Sequence, residues 1–266
     1  MKIVFITVSY NNFVSTKEYI ESFLSLDNSA STRLIVVDNS IVPDEKLRSL
    51  IEKLPETISY VRQNENNGYM AACNYGYKLI RSDLDADSVV IYSNNDLIFN
   101  TSDMIDKITF LFNNDSSLGV LSPKVIDVHT SLNLNPFLTN RPKLLTFFKL
   151  KLLYLNYFVC DIYHKFKRTS HKNIKSSVKS EIYATHGCIF IMSNKILDEL
   201  PDDEYFLYGE EVTIAELCRR LSYSTKYFDE ISVSHVSHAT TGNGFSKSQF
   251  KNKKNAINYI LGRYKW

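Results

Sequence analysis

The chain has 266 residues, 44% of them hydrophobic, with 31 basic and 29 acidic side chains and a formal net charge of +2. That balance excludes a disordered chain and suits one large globular domain, or two small ones, with a sizeable core; the net charge by itself selects no partner. Cys73, Cys160, Cys188 and Cys218 are scattered without a CxxC pair, which argues against a zinc site or a disulfide framework and fits a reducing cytosol, with the cysteines as small core residues.

The first hundred residues alternate regularly. "KIVFITV" is a β-branched, apolar strand; it is too short, and too soon followed by polar residues, to read as a secretory signal. "STKEYIESFLSL" has helical spacing, with Ser15 or Thr16 as candidate caps. "RLIVVD" is a second strand and "PDEKLRSLIEKL" a second helix, with Pro43 suited to its first turn. "TISYVRQ", "GYMAACNYGYKLI" and "SVVIYS" continue as strand, helix and strand. Such alternation predicts a parallel sheet with right-handed crossovers, and near-continuous apolar strands predict burial on both faces.

Beyond residue 100 the pattern is less regular. "SDMIDKITFLF" is an amphipathic helix, "LGVLSPKVIDV" one or two strands, and "LLTFFKLKLLYLNYFVCDIYHKF" a helical stretch apolar on most faces. "EIYATHGCIFIMS" reads as a strand, "NKILDEL" and "EEVTIAELCRRLS" as helices, "KYFDEISVSHVS" as a strand, and "FSKSQFKNKKNAINYILGRY" as a basic helix. No apolar run reaches the roughly 20 residues that span a bilayer. Basic residues concentrate between Arg141 and Lys179, where Asp161 is the only acid, and again after Glu230. Two such segments on a near-neutral chain point to an anionic surface or substrate.

Polar residues gather at the ends of the strands: Ser9, Tyr10 and Asn11; Asp38 and Asn39; "NENNGYMAACN"; and Asn94, Asn95 and Asp96. In an open parallel sheet those ends face the ligand crevice. There is no GxGxxG after the first strand and no GxxxxGK[ST] loop, so glycine amides are not the main cradle for a phosphate. A divalent cation held by hard oxygen ligands is the alternative counter-charge.

The motifs "VSYNN", "VVDNS", "NENNGYMAACNYG", "SNND", "HGCIFIMSNKIL", "YFLYGEE" and "SVSHVSHATT" resemble, in order and spacing, those of family 2 glycosyltransferases, above all bacterial rhamnosyltransferase-like members that build surface polysaccharides such as O-antigen or capsule. The resemblance covers nearly the whole chain, with residues 129–180 as its gap. It implies an α/β, GT-A fold, in which a Rossmann-like, mostly parallel central sheet is flanked by helices and a smaller acceptor-side subregion. Residues 1–245 would form one catalytic domain, with a nucleotide-binding half at 1–100 and an acceptor half at 101–245 carrying residues 129–180 as an insertion. A basic helix would follow at 246–266.

By the same resemblance "SNND" stands where the family carries its DxD-type motif. Asp96 would bind Mn2+ or Mg2+, and Asn94 and Asn95 would meet donor hydroxyls, the alternative being a plain Asn-Asn-Asp turn. Asp38 would read the nucleobase of a UDP- or dTDP-sugar, since a carboxylate accepts the N3–H of uracil or thymine; otherwise it is a cap. Val8 and Tyr10 would line the nucleotide site, with Asn67 and Gly68 as its NxG-type turn. Glu211, with Glu210 before it, would be the general base that deprotonates the acceptor, although this chain has Glu where the family usually has Asp, and Thr213 where it often has a further Asp. His235, in preference to His238, would complete the metal site. His186 lies near the acceptor region, and packing is the equal alternative for it.

The expected activity is metal-dependent, inverting transfer to a lipid-linked glycan, with no nucleic-acid partner. Alternatives are a degenerate glycan- or membrane-binding member and, less well matched, a sugar nucleotidyltransferase. The expected location is cytoplasmic, with the basic, aromatic stretch from Arg141 to Lys179 on the inner face of the membrane; a buried apolar helix is the competing reading.

Overall fold

The computed structural model describes residues 1–167, 181–200, 207–236 and 245–266. The elements run β1 (Ile3–Ser9), α1 (Phe13–Leu24), β2 (Arg33–Asp38), α2 (Glu45–Ile51), β3 (Ile58–Arg62), α3 (Tyr69–Ile80), β4 (Val89–Asn94), β5 (Leu97–Phe99) and α4 (Met104–Asn114). After these come β6 (Leu118–Asp127), α5 (Leu144–Leu153), α6 (Tyr157–Lys167), β7 (Glu181–Ile182), β8 (Ile189–Ser193), α7 (Asn194–Leu197), α8 (Glu210–Arg220), β9 (Ser224–His235) and α9 (Lys247–Arg263).

One sheet carries all nine described strands, in the order β3-β2-β1-β4-β8-β6-β9-β5, with β7 also paired to β9. The first four are parallel, as their alternation with helices requires. β8 then enters antiparallel between β4 and β6, β9 runs parallel to β6, and β5 and β7 run antiparallel to β9. The polar strand ends collect at the seam between these halves.

Side-chain alternation along the strands divides the core in two. Ile3, Phe5, Leu34, Val36 and Ile91 meet Tyr19, Phe23, Leu47 and Met104 of α1, α2 and α4 on one face. Val4, Ile6, Ile35, Val37 and Tyr92 meet Met70, Cys73, Tyr77, Ile214 and Leu217 of α3 and α8 on the other. This is the two-sided burial expected of continuous apolar strands. All four cysteines are buried and free.

Local details depart from the sequence reading. Asn12, not Ser15 or Thr16, caps α1, its side chain accepting from Ser15 N at 3.2 Å; the cap must precede the first turn, whose amides it satisfies. Asp44 caps α2, so Pro43 stands just outside it. The stretch read as one strand at 181–193 breaks into β7 and β8, and the loop between them carries His186 and Gly187. The long apolar stretch forms two helices, α5 and α6. Residues 168–180 and His238 lie outside the described residues.

Candidate active site

A cavity of about 610 Å³ opens at the seam, lined among others by Val8, Tyr10, Asn39, Gly68, Asn94, Asn95, Asp96, His186, Glu210, Glu211 and His235, a size that admits a nucleotide sugar. Most residues singled out in the sequence therefore meet in one place. Asp38 and Asn67 do not line it. Asn67 is exposed, and Asn66 stands in the wall beside it. The Asp38 carboxylate is fully buried beneath the rim. Its Oδ1 accepts from Ser40 N at 3.0 Å, and its Oδ2 from Asp44 N at 2.9 Å and the Tyr60 hydroxyl at 2.6 Å. Burial alone would raise its pKa, but these donors hold the carboxyl below its ordinary value.

Asn39 lines the cavity where Asp38 was expected to. Its Nδ2 donates to Asn66 Oδ1 at 2.8 Å and to Gly68 O at 3.5 Å, while its Oδ1 is buried without a hydrogen-bond partner. A buried orphan acceptor in a cavity wall is a place for a ligand donor. Gly68 starts α3 at φ 92°, a left-handed value that favours glycine, so the turn below the cavity depends on it.

The "SNND" segment is more than a turn. β4 ends at Asn94, the chain reverses through Asn95 and Asp96, and β5 pairs with β9 so that Leu97 stands opposite His235. Val236 N donates to Asp96 O at 2.9 Å and extends that ladder. The register sets His235 Nε2 3.2 Å from Asp96 Oδ1. Two neighbouring ligands of one octahedral cation, each about 2.1 Å from it, stand about 3 Å apart, so this oxygen and nitrogen fit a shared Mn2+ or Mg2+. Asn95 turns to the interior instead, its Nδ2 donating to Thr16 Oγ1 at 2.7 Å. Asn94 keeps its side chain partly exposed at the wall.

Three further side chains neighbour this pair, of which the sequence reading passed over Asp127, placed His186 near the acceptor region and took Cys188 as a core residue. Asp127 lies opposite His235 in the β6–β9 ladder, and its Oδ1 accepts from His129 N and from both the N and Oγ1 of Thr130. His186, Cys188 and His235 each place a ligand atom within 4.8 Å of the others. Burial, then the nearby His235, push His186 down to about 4, with Asp127 opposing, so its imidazole is neutral at physiological pH. Burial, with Asp96 and Glu211 close by, raises the Cys188 thiol well above its ordinary range and keeps it protonated. The oxygen and nitrogen of Asp96 and His235 are the better match to a hard cation.

Glu210 and Glu211 open α8, where the helix dipole favours acids, but they face different tasks. Glu210 is buried, and its Oε1 accepts from Tyr208 N at 2.8 Å, folding back over a turn in which Tyr208 and Gly209 have φ of 74° and 92°. Glu211 reaches into the cavity. Burial raises its pKa; the amides of Glu211 and Gly187 and the charge of Lys253 pull the other way. A Cβ added at Gly187 would stand 2.7 Å from Glu211 Oε1, so only a glycine lets the carboxylate lie there. Thr213, where a further acid was expected, is fully buried in α8, outside the cavity wall.

Residues 4–200 match the model of glycosyl transferase family 2. The chain belongs to glycosyl transferase family 2. No curated protein matches it. Similar solved structures include GalNAc-T7 with UDP, GalNAc and Mn2+ (14% identity, TM-score 0.62, 97% of this chain and 48% of that one). Others are TarS residues 1–349 from S. aureus (14%, 0.55, 89% and 61%) and the mannosyltransferase PcManGT from Pyrobaculum calidifontis with GDP-Man and Mn2+ (13%, 0.54, 97% and 69%). The chain thus spans about half of GalNAc-T7 and three-fifths of the TarS fragment. At these identities the likeness is one of fold, and the family 2 fold places the cavity at the strand ends where the sequence motifs fall.

Proposed function

We propose that this family 2 glycosyltransferase moves a sugar, with inversion, from a UDP- or dTDP-sugar to a glycan acceptor, using Mn2+ or Mg2+. The observation that carries the reading is the meeting, in one cavity, of the Asp96–His235 pair, the orphan acceptor of Asn39 and the half-buried carboxylate of Glu211. UDP, GalNAc and Mn2+ in one of the similar structures, and GDP-Man and Mn2+ in another, agree with it.

In this reading Asn39 Oδ1 accepts the N3–H of the pyrimidine, and Asp38 holds the Ser40–Asp44 loop that carries the wall. Val8, Tyr10 and Gly68 bound the base and ribose, and Asn94 meets donor hydroxyls. Asp96 and His235 would hold the cation, whose charge when bound would offset that of the departing diphosphate. Glu211 takes the proton of the acceptor hydroxyl as its oxygen bonds to the anomeric carbon and the bond to diphosphate breaks. Glu210 positions α8 through Tyr208. The acceptor is a glycan carried on lipid for surface polysaccharide, met by a protein lying on the inner face of the membrane.

The test is nucleotide binding with and without Mn2+, across UDP, dTDP, GDP, CDP and ADP, together with donor hydrolysis. UDP and dTDP should bind in a Mn2+-stimulated way, CDP and ADP weakly, since cytosine and adenine present an acceptor where uracil presents N–H. Asp96→Ala should abolish Mn2+ stimulation and turnover while leaving the fold intact. Persistent metal-stimulated binding in that variant would remove Asp96 from the metal site. Preference for GDP would move the donor to the guanine class.

A further inference from the structure

Helices α5 and α6 carry an outward apolar surface that nothing in the described chain covers. Leu145, Phe148 and Leu152 recur at helical spacing on α5; Leu155 follows in the connection, and Phe158 and Ile162 recur on α6. These six are 48–72% exposed. Their opposite faces are satisfied: Phe147 and Leu150 of α5, and Cys160 of α6, pack with Ile257 and Ile260 of α9. Both exposed stripes therefore point away from α9. A contiguous apolar surface of this kind marks an interaction site.

Its surroundings choose the partner. Lys143, Lys149 and Lys151 are exposed among these side chains, and Lys165 lies further along. The one acid between Arg141 and Lys167 is Asp161, which is paired with Lys165 at 2.7 Å. A second copy of the chain would bring lysines against lysines with no acid to meet them. An anionic lipid surface accepts both components, with apolar side chains entering at headgroup depth and lysines meeting phosphate. Among the described residues no helix is long and apolar enough to cross a membrane. Helices of 10 and 11 residues are about 15 Å long, half the hydrocarbon thickness, so they can only lie flat.

We infer that the outer face of α5 and α6 is a docking surface for anionic membrane, and that it turns the Glu211 end of the cavity toward the bilayer. The second part rests on the acceptor role proposed for Glu211. The inner side of α5 shares one buried cluster with α8 and α9, formed by Phe147, by Val212, the residue after Glu211, and by Ile260. The helix that bears the lipid face thus shares its inner packing with the helix that opens on Glu211. Helix α9 is the strut between them and not a second lipid contact; Ala256, Ile257 and Ile260 are buried, and Lys253 Nζ lies 4.9 Å from the Tyr208 ring centroid beside the cavity. An acceptor hydroxyl a few sugars above the headgroups is then within reach, and one far along a long glycan is not.

Flotation with vesicles of phosphatidylcholine alone, or with 30% phosphatidylglycerol, tests the surface without using activity. The protein should float with anionic vesicles at low salt and at least tenfold less at high salt. Leu145→Ser/Phe148→Ser/Phe158→Ser, all at exposed positions, should lose flotation at low salt while keeping the melting temperature and Mn2+-dependent UDP binding. Lys149→Gln/Lys151→Gln should float weakly at every salt concentration. Absence of flotation at low salt would overturn the proposal, as would a concentration-dependent dimer that the serine variant dissolves. If flotation holds but water-soluble and lipid-linked acceptors of equal glycan length react equally well, the docking surface stands and the orientation of the Glu211 end falls.

Discussion

Replacing Asp38 by alanine separates a structural role from a recognition role at the end of β2. Its carboxylate accepts from two backbone amides and the Tyr60 hydroxyl, none of them reaching it from the cavity. Hydrogen bonds to a charged acceptor contribute about 1.5–3 kcal/mol each, and removing the carboxylate also removes its own cost of burial, so a net loss of about 3 kcal/mol is expected. For a domain of this size that lowers Tm by about 6–12 °C. The folded-state pKa lies below the ordinary value, so this contribution is complete above that value and fades as pH falls through the folded one. Thermal melting of parent and variant, from pH 7 down to 3, should show the gap closing in acid. Titration with UDP and Mn2+ well below the variant's Tm should show affinity changed by less than about fivefold. A variant that melts within about 2 °C of the parent but binds UDP more than about tenfold weaker would show that Asp38 reads the base directly.

Asn39→Ala should do the reverse, with little change in Tm and a loss of about tenfold in UDP affinity for one missing hydrogen bond, read by the same titration. Glu211→Gln should lower kcat by about 10²–10⁴ with donor affinity unchanged, whereas Glu210→Gln should lower Tm by loosening the Tyr208 turn and leave a measurable rate. Because the Glu211 pKa is raised, largely by burial, the acid limb of the parent's kcat/KM profile should lie above the ordinary glutamate range, the rate rising with pH as the base ionises; Lys253→Gln should move that limb higher still. Gly187→Ala should leave folding intact yet depress kcat, since its methyl falls on Glu211 Oε1; a variant with parental kcat would show that the carboxylate has another productive position.

The parallel half was legible because its signals are local. Each strand from β1 to β4 is a short apolar run, each helix between them has its own apolar stripe, and the polar residues at the strand ends fall where a parallel sheet must put them. Reading which of two adjacent residues faces the cavity was a finer matter. "DN" after β2 gives no sign that Asp38 is consumed by Ser40, Asp44 and Tyr60 while Asn39 keeps an acceptor free, because those donors are set by the loop and by β3. In the second half, partners are remote. Asp127 was silent in sequence, since its place opposite His235 depends on the β6–β9 register. Gly187 gave no motif, because its need for a bare Cα comes from Glu211 on another element. The apolar stretch at 144–163 announced helix but not which side was wet; that depended on α9 packing beneath it.

The ladder between β5 and β9 has a consequence for how the protein comes into being. Asp96 and His235 lie far apart in the chain, and only strand register sets them 3.2 Å apart. A slip of one residue in β9 would turn His235 to the opposite face of the sheet and leave Asp96 facing a serine or a valine. On the metal role proposed for this pair, metal affinity would report that the β5–β9 ladder has closed in register. During synthesis, a chain stopped before β9 emerges can build the four parallel strands and the Asn39 wall, yet it has no imidazole to set beside Asp96. On the proposed roles, nucleotide recognition would thus be acquired early and metal capture late.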